Sequence, residues 1–162
     1  MVANNKSKGR RRLLALANFL IEKAPELKGK FSMLTWGKPK VRPEHRREFK
    51  ATCGTSACAL GWGTAVPALR RAGLRAFVSP QGKYATMAVV NERDEVLVAS
   101  SFTGKSIDDL CGMFFGIAAP RAEHMFYPTG ADGNTQRLTA ERAGKRIKAT
   151  IAQIDENEGW LV

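Results

Sequence analysis

Apolar positions first recur at helical spacing after Arg10, where Leu13, Leu14, Ala17, Phe19, Leu20, Ile21 and Ala24 form a broad stripe that Pro25 closes. This predicts a first helix. Residues 1–9 ahead of it are polar and basic and read as a flexible tail. Phe31-Ser32-Met33-Leu34-Thr35-Trp36 is a short apolar cluster whose aromatics anchor it to the core. From Gly37 to Lys50 the pattern is lost among Lys, Arg and Pro, so a basic loop is expected at 37–50. Beyond it, Thr55 or Ser56 caps a helix on which Ala57, Gly61 and Ala65 recur every fourth residue, a stripe of small side chains that allows close approach by another element.

Pro67 suits the first turn of a second short helix, which Gly73 stops. The pattern then changes to strand-like runs. Arg75 to Ser79, Tyr84 to Val90 and Glu95 to Ala99 are separated by turns at Pro80 to Lys83 and Asn91 to Asp94, and predict a three-stranded antiparallel meander. Helical spacing returns with Ile107, Leu110, Cys111, Phe114 and Phe115 after a capping Ser106-x-x-Asp109, and Gly116 ends that helix. Pro120 starts another through Ala122, Met125 and Phe126, and Tyr127 to Gln136 reads as a loop. Thr139 caps a last long helix with Ala143, Ile147, Ile151 and Ile154 inward. The elements together predict an α+β fold, a single compact domain over 10–162 in which several helices pack on a small three-stranded antiparallel meander.

The length of 162 residues suits one domain with a sizeable core, and 44% hydrophobic against 25% charged residues is ordinary globular usage. Charge adds what the apolar pattern lacks. The net charge is +11, and residues 1–50 hold 14 Lys and Arg against 4 Asp and Glu, whereas residues 51–162 hold 12 against 11. A basic segment joined to a nearly neutral body is the electrostatic footprint of a protein that meets something anionic. Arg10, Arg11 and Arg12 at the start of the first helix, and Lys38, Lys40, Arg42, Arg46, Arg47 and Lys50 in the loop, are the candidate contacts to nucleic acid or another acidic partner. A basic first turn is poorly matched to the helix dipole, which favours anions there.

Three cysteines and the absence of an export signal point to free thiols in a reducing compartment, and a cytoplasmic protein without membrane contact is expected. Cys53 and Cys58 stand five apart, and with Cys111, His45 and His124 they supply metal-ligand chemistry, but the close second pair of a structural zinc site is missing. No metal and no cofactor is expected. Nucleophilic catalysis is the other use of a thiol near a helix start, with His124 as base to Cys58 or Cys53 in a cysteine-dependent hydrolase or transferase. The block lacks an assignable oxyanion-hole residue, and the balance leans away from an enzyme. Gly-rich phosphate loops, dinucleotide fingerprints and nucleophile elbows do not occur.

The order of Phe31-x-Met33-x-x-Trp36, Cys53-Gly54-Thr55-x-x-Cys58-x-x-Gly61-Trp62, and Phe115-Gly116-Ile117 followed by Ala122 and Phe126 resembles a group of small uncharacterised proteins from bacteriophages, prophages and some bacterial genomes. The central block is the specific part, and the set spans most of residues 10–155. Phe115-Gly116-Ile117 stands where the group has Leu-Gly-Leu, a change that keeps size and shape. The resemblance implies origin more than activity: a phage accessory protein acting in the host cytoplasm by binding nucleic acid or a host or defence factor. A structural or assembly role in the virion is the further alternative.

Overall fold

A computed structural model describes residues 2–31, 48–49, 58–78, 85–99, 107–126, 138–157 and 159–160 of the chain. In chain order the elements are α1 (Val2–Glu22), β1 (Glu48–Phe49), α2 (Ala59–Gly63), α3 (Pro67–Arg71), β2 (Leu74–Val78), β3 (Ala85–Val90), β4 (Val96–Ala99), α4 (Ile107–Phe115), α5 (Ala119–Phe126) and α6 (Ala140–Glu156). The α+β class holds. The expected meander is β2, β3 and β4, paired antiparallel with Leu74 opposite Val89 and Val89 opposite Val98. Its second turn is locked by Asn91, whose side-chain oxygen accepts from the backbone N–H groups of Arg93 (2.9 Å) and Glu95 (3.0 Å).

Two boundaries differ from the expectation. The sheet has a fourth strand, β1, which pairs with β2 through Glu48 opposite Phe77 and Phe49 opposite Ala76, so the stretch read as loop at 37–50 contains a strand at its end. Lys, Arg and Pro around it hide so short a strand, yet β2 has backbone groups on that edge that need partners. The second difference is α1, which starts at Val2 instead of emerging from a tail at residue 10. Gly9 is buried against the carbonyl of Phe115, where any Cβ would collide with backbone, so the first turns of α1 lie against the end of α4.

The core is built where α1 lies along α6. Leu13, Leu16, Ala17 and Leu20 of α1 are fully buried, and Ala143, Ile147, Ile151 and Ile154 face them from α6 within one apolar cluster. Each leucine contributes about 1.5–3 kcal/mol by leaving water. Gly144 permits the close crossing: a Cβ there would stand 2.7 Å from the Ala17 carbonyl oxygen and 2.7 Å from Cγ1 of Ile21. Alternation on the sheet sends Leu74, Ala76, Met87, Val89 and Val98 into the same cluster, closed by Phe114, Phe115 and Phe126 from α4 and α5. At the α3–β2 corner, Gly73 adopts φ +99 and its carbonyl accepts from the Val90 N–H at 2.9 Å, a conformation that side chains rarely take. The predicted cap of α6 is present, with Thr139 Oγ1 accepting from the Arg142 N–H at 3.3 Å.

Candidate functional site

The described part of the cysteine block, from Cys58 onward, leads into α2, a five-residue helix whose residues are all buried. Cys58 itself is the N-cap: its Sγ accepts from the Gly61 N–H at 3.5 Å, while Thr64 Oγ1 donates to the Gly61 carbonyl at 2.7 Å at the other end. The capping residues expected from sequence, Thr55 and Ser56, lie outside the described residues, as does Cys53. Two effects compete on the Cys58 thiol. Burial penalises the thiolate and wins, raising the pKa to about 11 although the backbone N–H groups of Gly61 and Leu60 pull it down. At neutral pH such a thiol is about one part in ten thousand thiolate.

Cys111, fully buried on α4, is raised too, first by burial and then by the charges of Asp108 and Cys58, so both thiols face one apolar interior. Both are free. His124 lies elsewhere. Its imidazole is exposed on α5, with its pKa lowered by partial burial and by the guanidinium groups of Arg146 and Arg121. Cys58 is a cap and core residue, whereas His124 is exposed. Among the described residues no group of three or more His, Cys, Asp or Glu is arranged to hold a metal ion.

The three consecutive arginines separate into three environments. Arg12 is half-buried: its Nη1 donates to the Phe114 carbonyl at 2.6 Å, and its guanidinium lies 4.3 Å from the centroid of the Phe114 ring. A cation on one of the last carbonyls of α4 answers the negative end of that helix. Burial, then the neighbouring charge of Arg11, lowers the Arg12 pKa. Arg10 pairs with Asp155 of α6 at 2.8 Å. Arg11 is exposed and has no ion-pair partner among the described residues. With α1 beginning at Val2, the triplet sits in the third turn, so the dipole mismatch expected of a basic first turn does not arise there. Lys8 shares the outward face with Arg11, three residues on and opposite Leu13, Leu16 and Leu20. Lys38, Lys40, Arg42, Arg46, Arg47 and Lys50 lie outside the described residues.

No family model, no curated protein and no solved structure matches this chain. Among the described residues no helix is long and apolar enough to cross a membrane.

From sequence His124 reads only as a possible base, and its setting escapes notice. On α6, Arg142, Arg146 and Gln153 lie along one flank, and on α5, Arg121 and His124 are three apart on the flank that meets them. The signal is present in the spacing of these cations, but a nearly neutral body gives no reason to look for it.

Proposed function

We propose that this chain is a phage-type accessory protein, acting in the host cytoplasm, that binds an anionic macromolecule, nucleic acid, through its basic N-terminal third and without catalysis. The observation that carries the reading is the segregation of charge: 14 Lys and Arg against 4 Asp and Glu in residues 1–50, on a body of 12 against 11. A cationic segment of that density neutralises phosphates and gains from the release of their counterions. The outward pair Lys8 and Arg11 agrees with it, while Arg10 and Arg12 serve the fold and drop to a secondary role. The burial and raised pKa of Cys58 argue against thiol catalysis as the competing use of the chain.

The test is fluorescence anisotropy with labelled single-stranded and duplex oligonucleotides. Replacement of Lys40, Arg42, Arg46 and Arg47 by Ser is expected to weaken binding to every sequence alike, as removal of phosphate-binding cations does. Wild-type protein that ignores oligonucleotides but binds an acidic polypeptide would move the reading to an acidic host or defence protein. Failure to bind either rejects it.

A further inference from the structure

Two helices far apart in sequence bring their acid-free stretches side by side. Residues 6–21 of α1 carry five Lys or Arg, residues 142–154 of α6 carry four, and neither stretch contains Asp or Glu. The helices run antiparallel: Arg10 meets Asp155 while Gly144 lies against Ala17 and Ile21, so going from 10 to 21 on α1 corresponds to going from 155 to 144 on α6. The two cationic stretches therefore overlap along the whole crossing. The nearly neutral total of residues 51–162 conceals this, because the acids that balance it lie outside 142–154.

Several of these cations are engaged, Arg10 with Asp155, Arg12 with Phe114 and Lys145 with Glu141. On the solvent side of the crossing Lys8, Arg11 and Lys148 are exposed and make no ion pair or side-chain hydrogen bond among the described residues. Lys8 and Arg11 project opposite Leu13, Leu16 and Leu20, and Ala15 and Asn18 continue their face. Lys148 stands one turn after Gly144 and two turns before Asp155, the residues that touch α1, while Ile147 and Ile151 turn into the core. In this register Lys148 comes level with residues 15–17, about 6–9 Å further along the axis than Arg11 at 1.5 Å per residue. Ala152, exposed and one turn from Lys148, comes level with Arg11, so the floor between the cations is shallow. The acids of the two helices stand at the ends of the crossing, Glu22 and Glu141 at one and Asp155 and Glu156 at the other, with Glu141 and Asp155 already paired.

We propose that the exposed face of the α1–α6 pair is a seat for the phosphate backbone of a nucleic-acid duplex, with Lys8 and Arg11 reaching it from α1 and Lys148 from α6. The seat rests on the same nucleic-acid reading as the N-terminal third and adds to it a contact from outside that segment. Charge and shape choose the occupant. Alanines at 15 and 152 let a backbone come close, the Arg11 fork matches phosphate oxygens, and Lys148 adds a point charge on the other helix. A single strand is held by aromatic side chains on which its bases stack, and Lys8, Arg11, Ala15, Asn18, Lys148 and Ala152 offer none. Two packed helices meet the regular phosphates of a duplex as a preformed surface.

The experiment is fluorescence anisotropy with a labelled DNA duplex of about 20 base pairs, followed between about 50 and 200 mM salt. Lys148→Gln should lower affinity about threefold and flatten the log-log slope by about 0.9, the share of one duplex phosphate, and Lys8→Gln, Arg11→Gln and Lys148→Gln together should flatten it by about 2.7. Arg93→Gln removes the same charge from the exposed β3–β4 turn and should leave the slope unchanged. Ala152→Glu sets a carboxylate beside Arg11 without removing a cation and should weaken binding about tenfold. All these positions are exposed, and circular dichroism checks that each variant folds. Duplex binding by the wild type whose salt slope ignores both Lys148→Gln and Ala152→Glu overturns the seat and leaves the N-terminal reading standing. An equal loss in Arg93→Gln overturns it as well, because net charge then accounts for the effect. A single-stranded 20-mer that binds more tightly than the duplex and loses as much on Lys148→Gln overturns the duplex as occupant. Wild-type protein that binds neither form overturns the nucleic-acid reading and the seat together.

Discussion

Replacing Arg12 by Ala removes two interactions at once. The hydrogen bond from a charged donor to the Phe114 carbonyl, at 2.6 Å, is of a kind that contributes about 1.5–3 kcal/mol. The guanidinium stacked 4.3 Å from the Phe114 centroid adds about 0.5–1 kcal/mol in a half-buried setting. Water entering the space that the half-buried Arg12 side chain vacates recovers part of what the carbonyl forfeits, which brings the net to roughly 2–3 kcal/mol. For a chain of this size that lowers Tm by roughly 4–12 °C. Arg12→Lys keeps the charge without the planar fork and should fall between. Arg10→Ala breaks a partly exposed pair with Asp155 and should cost no more than about 1 kcal/mol. Arg11→Ala should stay within about 0.5 kcal/mol. Urea denaturation followed by circular dichroism on the three alanine variants measures the order. Equal stabilities for all three, or a larger drop at Arg11 than at Arg12, would refute the assignment of Arg12 to the α1–α4 interface and return the triplet to the partner surface.

Other outcomes follow from the same geometry. Gly144→Ala gains about 1 kcal/mol in helix propensity yet places a Cβ 2.7 Å from the Ala17 carbonyl oxygen, and the overpacking, about 1–3 kcal/mol, should leave the variant less stable; a raised Tm contradicts the close crossing. In Cys53→Ser protein, Cys58 and Cys111 should react with a thiol reagent at neutral pH only on unfolding, and a fast phase from either would revive a reactive thiol. Because both folded thiols titrate above the unfolded value, the stability they protect is complete below about pH 9; it declines above that, by about 1.4 kcal/mol per pH unit for each thiol, until the folded pKa, about 11 for Cys58, is reached. Alkaline unfolding unchanged in Cys58→Ala and Cys111→Ala variants argues against it. At Asp155, burial raises the pKa, but the hydrogen bonds from Arg10 and Trp160 and the charges of Arg10 and Lys6 outweigh it and hold the carboxyl below its ordinary value. Its contribution is present above about pH 4 and is lost as pH falls through the folded pKa, so Asp155→Asn should differ from wild type at pH 6 and converge with it in acid.

The meander, the helix over 107–115 and the capped helix after Thr139 are legible in the sequence because local chemistry and apolar period agree there. Asn91 turns the chain, Gly73 and Gly116 take positive φ, and Thr139 caps, each through atoms within a few residues. What escapes depends on neighbours distant in sequence. Nothing near Gly9 says that the Phe115 carbonyl will pass over it, so the first turns of α1 read as a tail. Strand β1 exists through the edge of β2, more than 25 residues away. Cys58 shows the same limit in the site: a helix-start thiol suggests reactivity from sequence, and only its complete burial reverses the inference. Arg10, Arg11 and Arg12 are interchangeable as letters and are told apart by Asp155, solvent and Phe114.

If a basic N-terminal third grips an anionic strand through its phosphates, the salt dependence of oligonucleotide binding is the most direct measure of that grip. Wild-type affinity should fall linearly in log-log form between about 50 and 200 mM salt, and replacing Lys40, Arg42, Arg46 and Arg47 by Ser should flatten the slope by about 3, at roughly 0.7–0.9 for each phosphate no longer neutralised. A wild-type affinity indifferent to salt, or a slope that the four substitutions leave unchanged, contradicts it.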